Sequence, residues 1–281
     1  MSGPVPASRA PIARGVLTLF DRPVKHGGAV LLTLFSLREH YNGPLEVLTA
    51  LADDELRQWR PELERAGAAV RHIRLMGREG RARAKEAKAQ LYGLTAWEET
   101  LFLEPYVMVT APIEPVWGYL DQHPVVAAAH SLGRFWDARA RYMRAPGGEA
   151  KPPAIPPDRP ATNTSVVAWR QCAAAERLWQ DWATTLRADM ALHLDVASYA
   201  SGVEVGVLPP EMHRRPTRPG PAGELALRDE LAEGEPVPVF LQNYGEALAR
   251  LAGRYAPRAL AEAQAAVRRI GFQGVDLTRK L

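Results

Sequence analysis

Disulfides, thiolate metal sites and membrane spans have almost no support in this sequence. Cys172 is the only cysteine among the 281 residues, so the chain forms no intrachain disulfide and no site built from several thiolates. It contains no run of about 18 apolar residues, the length that a transmembrane helix needs. The N-terminal segment, MSGPVPASRAPIARG, lacks the apolar centre of a secretory signal. We therefore expect a cytoplasmic protein without a membrane partner.

Motifs of several common enzyme classes are also missing. The sequence has neither G-x-G-x-x-G after its first predicted strand nor G-x-x-x-x-G-K-[ST], so dinucleotide and P-loop sites lack their phosphate-binding loops. It has no G-x-S-x-G motif, and its seven histidines form no H-E-x-x-H motif. The net charge of +3 comes from arginines scattered along the chain, so we expect no nucleic-acid partner. The mild positive charge favours anionic ligands such as a diphosphate.

The N-terminal third of the sequence alternates short apolar runs with helical apolar spacing. The runs predict strands over Gly15–Phe20, Leu45–Thr49 and Ala69–Leu75, and the spacing predicts helices over Ala29–His40 and Asp53–Gly67. This βαβαβ order with short connections is typical of a parallel sheet that has helices on its faces. We therefore predict an α/β fold with a mixed, mostly parallel, Rossmann-like sheet flanked by helices.

The rest of the sequence continues both patterns. We predict strands over Thr162–Ala168, Val203–Leu208 and Val237–Leu241, helices over Gln171–Leu186 and Asp189–Ala200, and two helices between Glu246 and Ile270 broken at Pro257. The segment Ala145–Pro160 is too rich in proline for a helix or a central strand. We predict a loose tail over residues 1–13, one α/β domain over residues 14–245 and a helical appendage over residues 246–281.

The most informative segment is KAQLYGLTAWEETLFLEPYVM, which runs from Lys88 to Met108. Lys88 lies in a helical stretch sixteen positions before Glu104, and Glu104 directly follows the predicted strand Thr100–Leu103. This order brings a lysine and a carboxylate to the carboxyl end of a buried strand, where open α/β sheets bind their ligands. The alternative interpretation is that the basic segment Arg78–Lys88 forms a solvated helix face without a ligand.

This segment resembles the nucleotide-sugar site of glycogenin-like retaining glycosyltransferases of the GT-A fold, whose pattern is Lys, a helix, then hydrophobic-Phe-hydrophobic-Asp-x-Asp. The resemblance covers roughly residues 14–245. It implies a glycosyltransferase that moves a sugar, with retention of configuration, from a UDP- or GDP-linked donor to an acceptor that stays unknown. Beside the base and ribose of the donor, the resemblance places Leu19, Asp21, Arg22 and Lys25.

The same resemblance assigns residues to the sugar and the diphosphate. Asn163, in Asn-Thr-Ser-Val, corresponds to the strand edge beside the donor sugar, and Asp189 to the acid that faces the hydroxyls of the transferred sugar. We take these two as the candidate catalytic residues, although Asp189 could equally cap the helix that follows it. Lys88 is expected to face the diphosphate. His213 follows a Leu-Pro turn, and we expect it to be an exposed turn residue.

The resembled family holds a divalent cation, manganese or magnesium, with both acids of Asp-x-Asp and a later histidine. The corresponding residues here are Glu104, Tyr106 and Gln242, which we include among the candidate nucleotide-binding residues. Hard cations need several oxygen ligands, and only Glu104 is a good one, so we expect no tightly bound metal. Either basic residues such as Lys88 meet the charge of the leaving group, or the chain is a non-catalytic scaffold that binds a nucleotide sugar. Both alternatives stay open at this point, as does the use of a metal.

Overall fold

The computed structural model of the chain describes residues 13–73, 81–134, 155–156, 158–187, 193–219, 225–227, 231–243 and 245–271. Its helices are α1 (Pro23–Arg38), α2 (Asp53–Arg65), α3 (Arg81–Leu94), α4 (Pro115–Tyr119), α5 (Ala173–Arg187), α6 (His193–Ser201), α7 (Gly245–Tyr255) and α8 (Pro257–Ile270). Its strands are β1 (Arg14–Phe20), β2 (Leu45–Thr49), β3 (Ala69–His72), β4 (Glu99–Leu103), β5 (Val107–Val109), β6 (Val125–Arg134), β7 (Pro160–Arg170), β8 (Val205–Leu208), β9 (His213–Arg214), β10 (Thr217–Pro219), β11 (Leu225–Leu227) and β12 (Phe240–Gln242).

Seven strands form one large sheet in the order β3-β2-β1-β4-β7-β6-β8. Neighbouring strands run parallel except at β7, which is antiparallel to both β4 and β6. The prediction of a mixed, mostly parallel sheet flanked by helices is therefore confirmed. The parallel strands β1, β2 and β4 all end at one edge, which we call the carboxyl edge. Because β7 is reversed, its N-terminal half lies at the carboxyl edge as well.

Two smaller sheets complete the strands of the described chain. β12 pairs antiparallel with β5 and parallel with β9, and β10 pairs antiparallel with β11. The sequence predicted a strand near β12, over Val237–Leu241, but none of its partners. Those partners have only two or three residues each, too few for an alternating pattern. β6 was also missed, because its centre, Ala127–Ala129, has little strand preference.

Hydrophobic cores cover both faces of the large sheet. Alternate residues of β1 point into different cores: Val16 and Phe20 into the first, Leu17 and Leu19 into the second. Helices α1, α2, α7 and α8 cover the first core, and α3, α5 and α6 cover the second. The boundary at residue 245 stays a prediction, although α7 and α8 bury apolar residues in the same core as α1. No helix in the described part of the chain combines the length and apolar character that a membrane span requires.

Local chemistry explains where the helices begin and end. α1 begins at Pro23, well before the predicted start at Ala29, because proline suits the first position of a helix. The predicted break at Pro257 is confirmed, since α7 ends at Tyr255 and α8 begins at Pro257. The helix predicted from Asp189 begins at His193 in the described chain, and Asp189 itself lies outside the described residues.

An ion pair ties α8 to α2. Glu62 of α2 is buried and accepts two hydrogen bonds of 2.8 Å from Nε and Nη2 of Arg269. These hydrogen bonds lower the pKa of Glu62 against the opposing effect of burial. A bidentate guanidinium–carboxylate pair fixes the relative orientation of its two side chains. The last helix is therefore fastened to the first core by a charged contact as well as by apolar packing.

Candidate functional site

Three segments of sequence meet at the carboxyl edge. The turn Glu104–Tyr106 follows β4, and Asp21 and Arg22 follow the neighbouring strand β1. The reversed strand β7 contributes Asn163–Ser165, and the backbone amide of Glu104 donates to the Ser165 carbonyl oxygen over 2.8 Å. In α/β sheets the ends of adjacent parallel strands form the usual place for a ligand. The carboxyl edge is therefore the candidate site.

Lys88 and Glu104 form an ion pair at this edge, and their side chains are only 14% and 12% exposed. The Lys88 ammonium also donates to the hydroxyl and carbonyl oxygens of Thr164, at 3.2 and 3.4 Å. It lies 5.6 Å from the centre of the Phe102 ring. The indole of Trp179 donates to the Lys88 carbonyl oxygen over 3.3 Å and holds α3 in place there. The interpretation of Lys88 as part of a solvated helix face is therefore wrong.

Regular alternation of side chains along β7 separates the contacts of Thr164 from those of Ser165. Successive residues of a strand point to opposite faces of its sheet. Thr164 contacts Lys88 of α3 on one face, whereas Asn163 and Ser165 contact Gln242 of β12 on the other face. One short stretch of β7 thereby supports two separate polar clusters.

The second cluster lies between the large sheet and the three-stranded sheet, with Ser165, His213 and Gln242 buried and Asn163 partly buried. Gln242 Oε1 accepts hydrogen bonds from Asn163 Nδ2 at 2.7 Å and from Ser165 Oγ at 3.0 Å. Asn163 Oδ1 accepts from the Ser165 amide at 3.0 Å, and Ser165 Oγ lies 3.4 Å from His213 Nε2. We call these four residues the Gln242 network. Both ends of the Asn163 carboxamide are bonded inside it, so this side chain supports the edge of the sheet.

His213 of β9 is buried, so the expectation of an exposed turn histidine is wrong. Burial lowers the pKa of His213 to about 3, because the desolvated imidazolium is unfavourable, and the hydrogen bond with Gln242 opposes this effect only in part. The ring is therefore neutral at pH 7. Its Nδ1 has no hydrogen-bond partner among the described residues. No local sequence pattern indicates that His213 is buried, since β9 has only two residues.

Asp21 and Arg22 lie beside the Glu104 turn. An Asp21 carboxylate oxygen is 3.8 Å from Nε of Arg22. Nη2 of Arg22 is buried without a hydrogen-bond partner among the described residues. Tyr106 packs against His26 of α1, with ring centroids 5.7 Å apart. Of the remaining predicted residues, Leu19 is buried in the second core, and the side chain of Lys25 and all of Asp189 lie outside the described part of the chain.

Asp195 of α6 is a buried acid for which the sequence gives no functional pattern. Its Oδ1 accepts hydrogen bonds of 3.0 Å from both the amide and the hydroxyl of Thr162, next to Asn163. Burial raises the pKa of Asp195 to about 7, although the bonds from Thr162 oppose the shift. The acid stands in a largely apolar helix, which gave no signal of function. Its contacts fix the start of β7 beside the candidate site.

The described residues at the carboxyl edge do not fit a divalent cation. The Glu104 carboxylate is already paired with the Lys88 ammonium, and the Gln242 side-chain oxygen already accepts two hydrogen bonds. Tyr106 offers only a phenol, a poor ligand for a hard cation. In the described ranges there is no group of three or more His, Cys, Asp or Glu side chains arranged to hold a metal.

Comparison with known proteins identifies the scaffold. No protein-family model matches the sequence, and no curated protein matches it either. The galactosyltransferase LgtC, solved with donor and acceptor sugar analogues, is similar in structure, with a TM-score of 0.52 and 12% identity over 92% of this chain and 95% of that chain. An active-site mutant of LgtC gives a TM-score of 0.53 and 13% identity over 90% and 95%. The chain has the GT-A fold.

Other structures share a smaller part of their length with the chain. The glycosyltransferase GlyE of Streptococcus pneumoniae TIGR4 gives a TM-score of 0.46 and 14% identity over 72% of this chain. The chain spans 46% of GlyE and 40% of the bifunctional glycosyltransferase WbbM. The assignment of the GT-A fold rests on the two LgtC structures, and it confirms the fold that the sequence resemblance implied.

Proposed function

We propose that the chain is a glycosyltransferase that takes a sugar from a nucleotide-diphosphate donor at the carboxyl edge. The observation behind this proposal is the Lys88 ammonium, held by Glu104 and Thr164 at the edge where α/β sheets bind ligands. A largely buried cation there suits a ligand with concentrated negative charge, as a diphosphate has. The GT-A fold supports the proposal at the level of the scaffold.

In the proposed reaction the bond between the anomeric carbon and the diphosphate oxygen breaks, and a bond to an acceptor hydroxyl oxygen forms. The nucleoside diphosphate leaves with the electron pair, and the hydroxyl proton passes to a departing phosphate oxygen or to solvent. Lys88 stabilises the negative charge that develops on the leaving oxygen. We propose that no metal takes part, since Glu104, Tyr106 and Gln242 are unsuited to hold one. Retention of configuration is proposed from the sequence resemblance.

The other predicted residues receive distinct roles in this proposal. Asp189 faces the hydroxyls of the transferred sugar, and Asp21 and Arg22 contact the base and ribose. Arg22 suits this role because its buried Nη2 is a donor without a partner among the described residues. Asn163 is a positioning residue, because both polar atoms of its side chain are bonded inside the Gln242 network. The acceptor and the choice between UDP- and GDP-linked donors stay open.

Titration calorimetry with UDP, GDP and their sugars, in EDTA or in manganese, tests the proposal. We expect at least one nucleoside diphosphate to bind equally well in both buffers. Lys88→Met should weaken that binding by about tenfold or more, the scale of a charge-assisted hydrogen bond. Arg177→Met, which removes a charge from the exposed side of α5, is the matched control. Failure of every nucleotide to bind the wild-type chain would refute the proposal.

The proposed independence of metal has its own test. A ligand that binds only the folded state raises the melting temperature by mass action. We expect manganese alone to leave the melting temperature of the chain unchanged. A rise with manganese that is abolished by Glu104→Ala would mean that a metal site exists at the carboxyl edge.

The second candidate is a non-catalytic protein that binds a nucleotide sugar. It is favoured by the inward-turned side chains of Asn163 and Gln242, which leave fewer polar groups for a reacting sugar. Release of nucleoside diphosphate from a bound donor, with water or a panel of sugar acceptors, distinguishes the two. Release by the wild-type chain that is lost in Asp189→Asn supports the transferase. Tight donor binding without release supports the non-catalytic protein.

A further inference from the structure

The hydrogen-bonding capacity of Lys88 is already filled. A lysine ammonium has three N–H donors and no acceptor. The structure provides three acceptors, namely a carboxylate oxygen of Glu104 and the hydroxyl and carbonyl oxygens of Thr164. An incoming phosphate oxygen therefore has to displace one of them.

The three acceptors differ in how easily they move. The Thr164 carbonyl belongs to the backbone of β7, where the next residue, Ser165, accepts a hydrogen bond from the Glu104 amide, and the Thr164 hydroxyl is one bond from Cβ. Glu104 lies in the turn between β4 and β5, and rotatable side-chain bonds separate its carboxylate from the backbone. The carboxylate is thus the acceptor that can swing away while the ammonium keeps its other two contacts.

We propose that Glu104 is an exchangeable counter-ion, which occupies Lys88 in the free protein, yields it to the diphosphate of a ligand and then repels that diphosphate. The proposal deepens the proposed function and rests on it. A diphosphate carries more negative charge than a carboxylate, so it competes successfully for the ammonium. The displaced Glu104 carboxylate stays close to the bound diphosphate, and repulsion between like charges speeds the departure of the nucleoside diphosphate product.

A second donor at the same edge points to a bound ligand independently of Lys88. Arg22 follows β1, the strand that pairs in parallel with β4, and its buried Nη2 has no hydrogen-bond partner among the described residues. A buried donor without an acceptor is costly, and a ligand that supplies the acceptor removes that cost. The carboxyl edge therefore holds two cationic side chains. Lys88 is paired with Glu104, and Arg22 has one N–H donor without an acceptor among the described residues.

The role of a counter-ion predicts an effect opposite to that of a metal ligand. Replacing a carboxylate that holds a metal weakens the binding of the diphosphate. Replacing a carboxylate that competes for Lys88 tightens it, because the competitor and the repulsion disappear together. Glu104→Gln keeps the size and an acceptor oxygen of the side chain, so the sign of its effect on affinity separates the two roles.

The experiment is calorimetric titration of inorganic pyrophosphate and of UDP in EDTA, with dissociation rates from stopped-flow measurements. We expect Glu104→Gln to bind both probes about three- to tenfold tighter and to release them more slowly. We expect Lys88→Met to bind both probes about tenfold more weakly, or weaker still. Glu98→Gln removes the same charge from an exposed residue at the opposite end of β4 and should change nothing. Glu104→Met is the alternative variant if Glu104→Gln does not fold.

The outcomes separate this inference from the proposed function. Tighter pyrophosphate binding by Glu104→Gln, without binding of any nucleotide, supports the counter-ion and refutes the nucleotide-sugar site. Weaker binding by Glu104→Gln, or binding that needs manganese, overturns the counter-ion even where nucleotides bind the wild-type chain. Failure of pyrophosphate to bind wild type and both Glu104 variants also overturns it.

Discussion

The Lys88–Glu104 pair makes a quantitative prediction about stability. Two unit charges about 4 Å apart attract by about 4 kcal/mol at an effective dielectric constant of 20. Desolvation offsets much of that attraction in the intact pair, whereas removal of one partner leaves the other charge unpaired in a largely buried position. Lys88→Met leaves the Glu104 carboxylate and both Thr164 oxygens without the donor that they share. We expect it to lower the free energy of unfolding by about 2–3 kcal/mol. The matched change Glu104→Gln should cost only about 1 kcal/mol, because Thr164 still accepts from the ammonium.

A double-mutant cycle measures the interaction itself. Urea unfolding of wild type, Lys88→Met, Glu104→Gln and the double variant at pH 7.5 gives four free energies of unfolding. We expect the double variant to be more stable than the sum of the single effects by about 1–2 kcal/mol. Additivity within about 0.3 kcal/mol would mean that the two charges do not interact in solution, and the reasoning about Lys88 would then be refuted.

Three further predictions concern buried groups elsewhere. Because the pKa of Asp195 is raised to about 7, folding favours its protonated form, and stability falls as the pH rises from about 4 to 7. We expect urea unfolding to show that the free energy of unfolding of Asp195→Asn, relative to wild type, increases by about 2–3 kcal/mol from pH 5 to pH 8. Gln242→Leu leaves the Ser165 hydroxyl without its acceptor in a buried network and should lower the free energy of unfolding by about 2–4 kcal/mol. Glu62→Gln weakens the contact with Arg269, so amide hydrogen exchange in α8 should become severalfold faster while exchange in α5 does not change.

Each of these predictions has a defined negative result. Parallel stability curves for wild type and Asp195→Asn would mean that the pKa of Asp195 is the same in the folded and the unfolded protein. A neutral effect of Gln242→Leu would mean that the network is open to water. Unchanged exchange in α8 of Glu62→Gln would leave apolar packing as the sole attachment of that helix. For the Glu62 variant, Glu55→Gln at an exposed position of α2 is a suitable control.

The sequence predicted elements with long, regular patterns best. The strand over Leu45–Thr49 was predicted residue for residue, and the break at Pro257 has a direct steric cause in the proline ring. The start of α1 was missed because His26, Gly27 and Gly28 look unfavourable in a helix. Tertiary packing determines the structure of this first turn. A Cβ atom at Gly27 would collide with the Trp59 ring, so the contact between α1 and α2 requires a glycine at this position.

The sequence predicted only the part of the candidate site that follows from the order of helices and strands along the chain. The spacing between Lys88 and Glu104 brought both residues to the end of β4, and the structure joins them in an ion pair. The Gln242 network was out of reach, because it depends on a contact of β7 with the distant strand β12 and on the two-residue strand that contains His213. Neither feature leaves a local pattern in the sequence. The role of Asp189 stays a prediction.

The strand order also determines when the large sheet can close during synthesis. β1 and β2 can pair early, but the other side of β1 waits for β4, since the contacting residues Arg14 and Glu99 are 85 positions apart. β4 in turn waits for β7, with Glu99 and Arg170 separated by 71 positions. Such distant pairings form slowly, and the unpaired edge of an apolar strand is where nascent chains associate. We therefore expect chains that stop before residue 170 to aggregate instead of folding into a smaller domain.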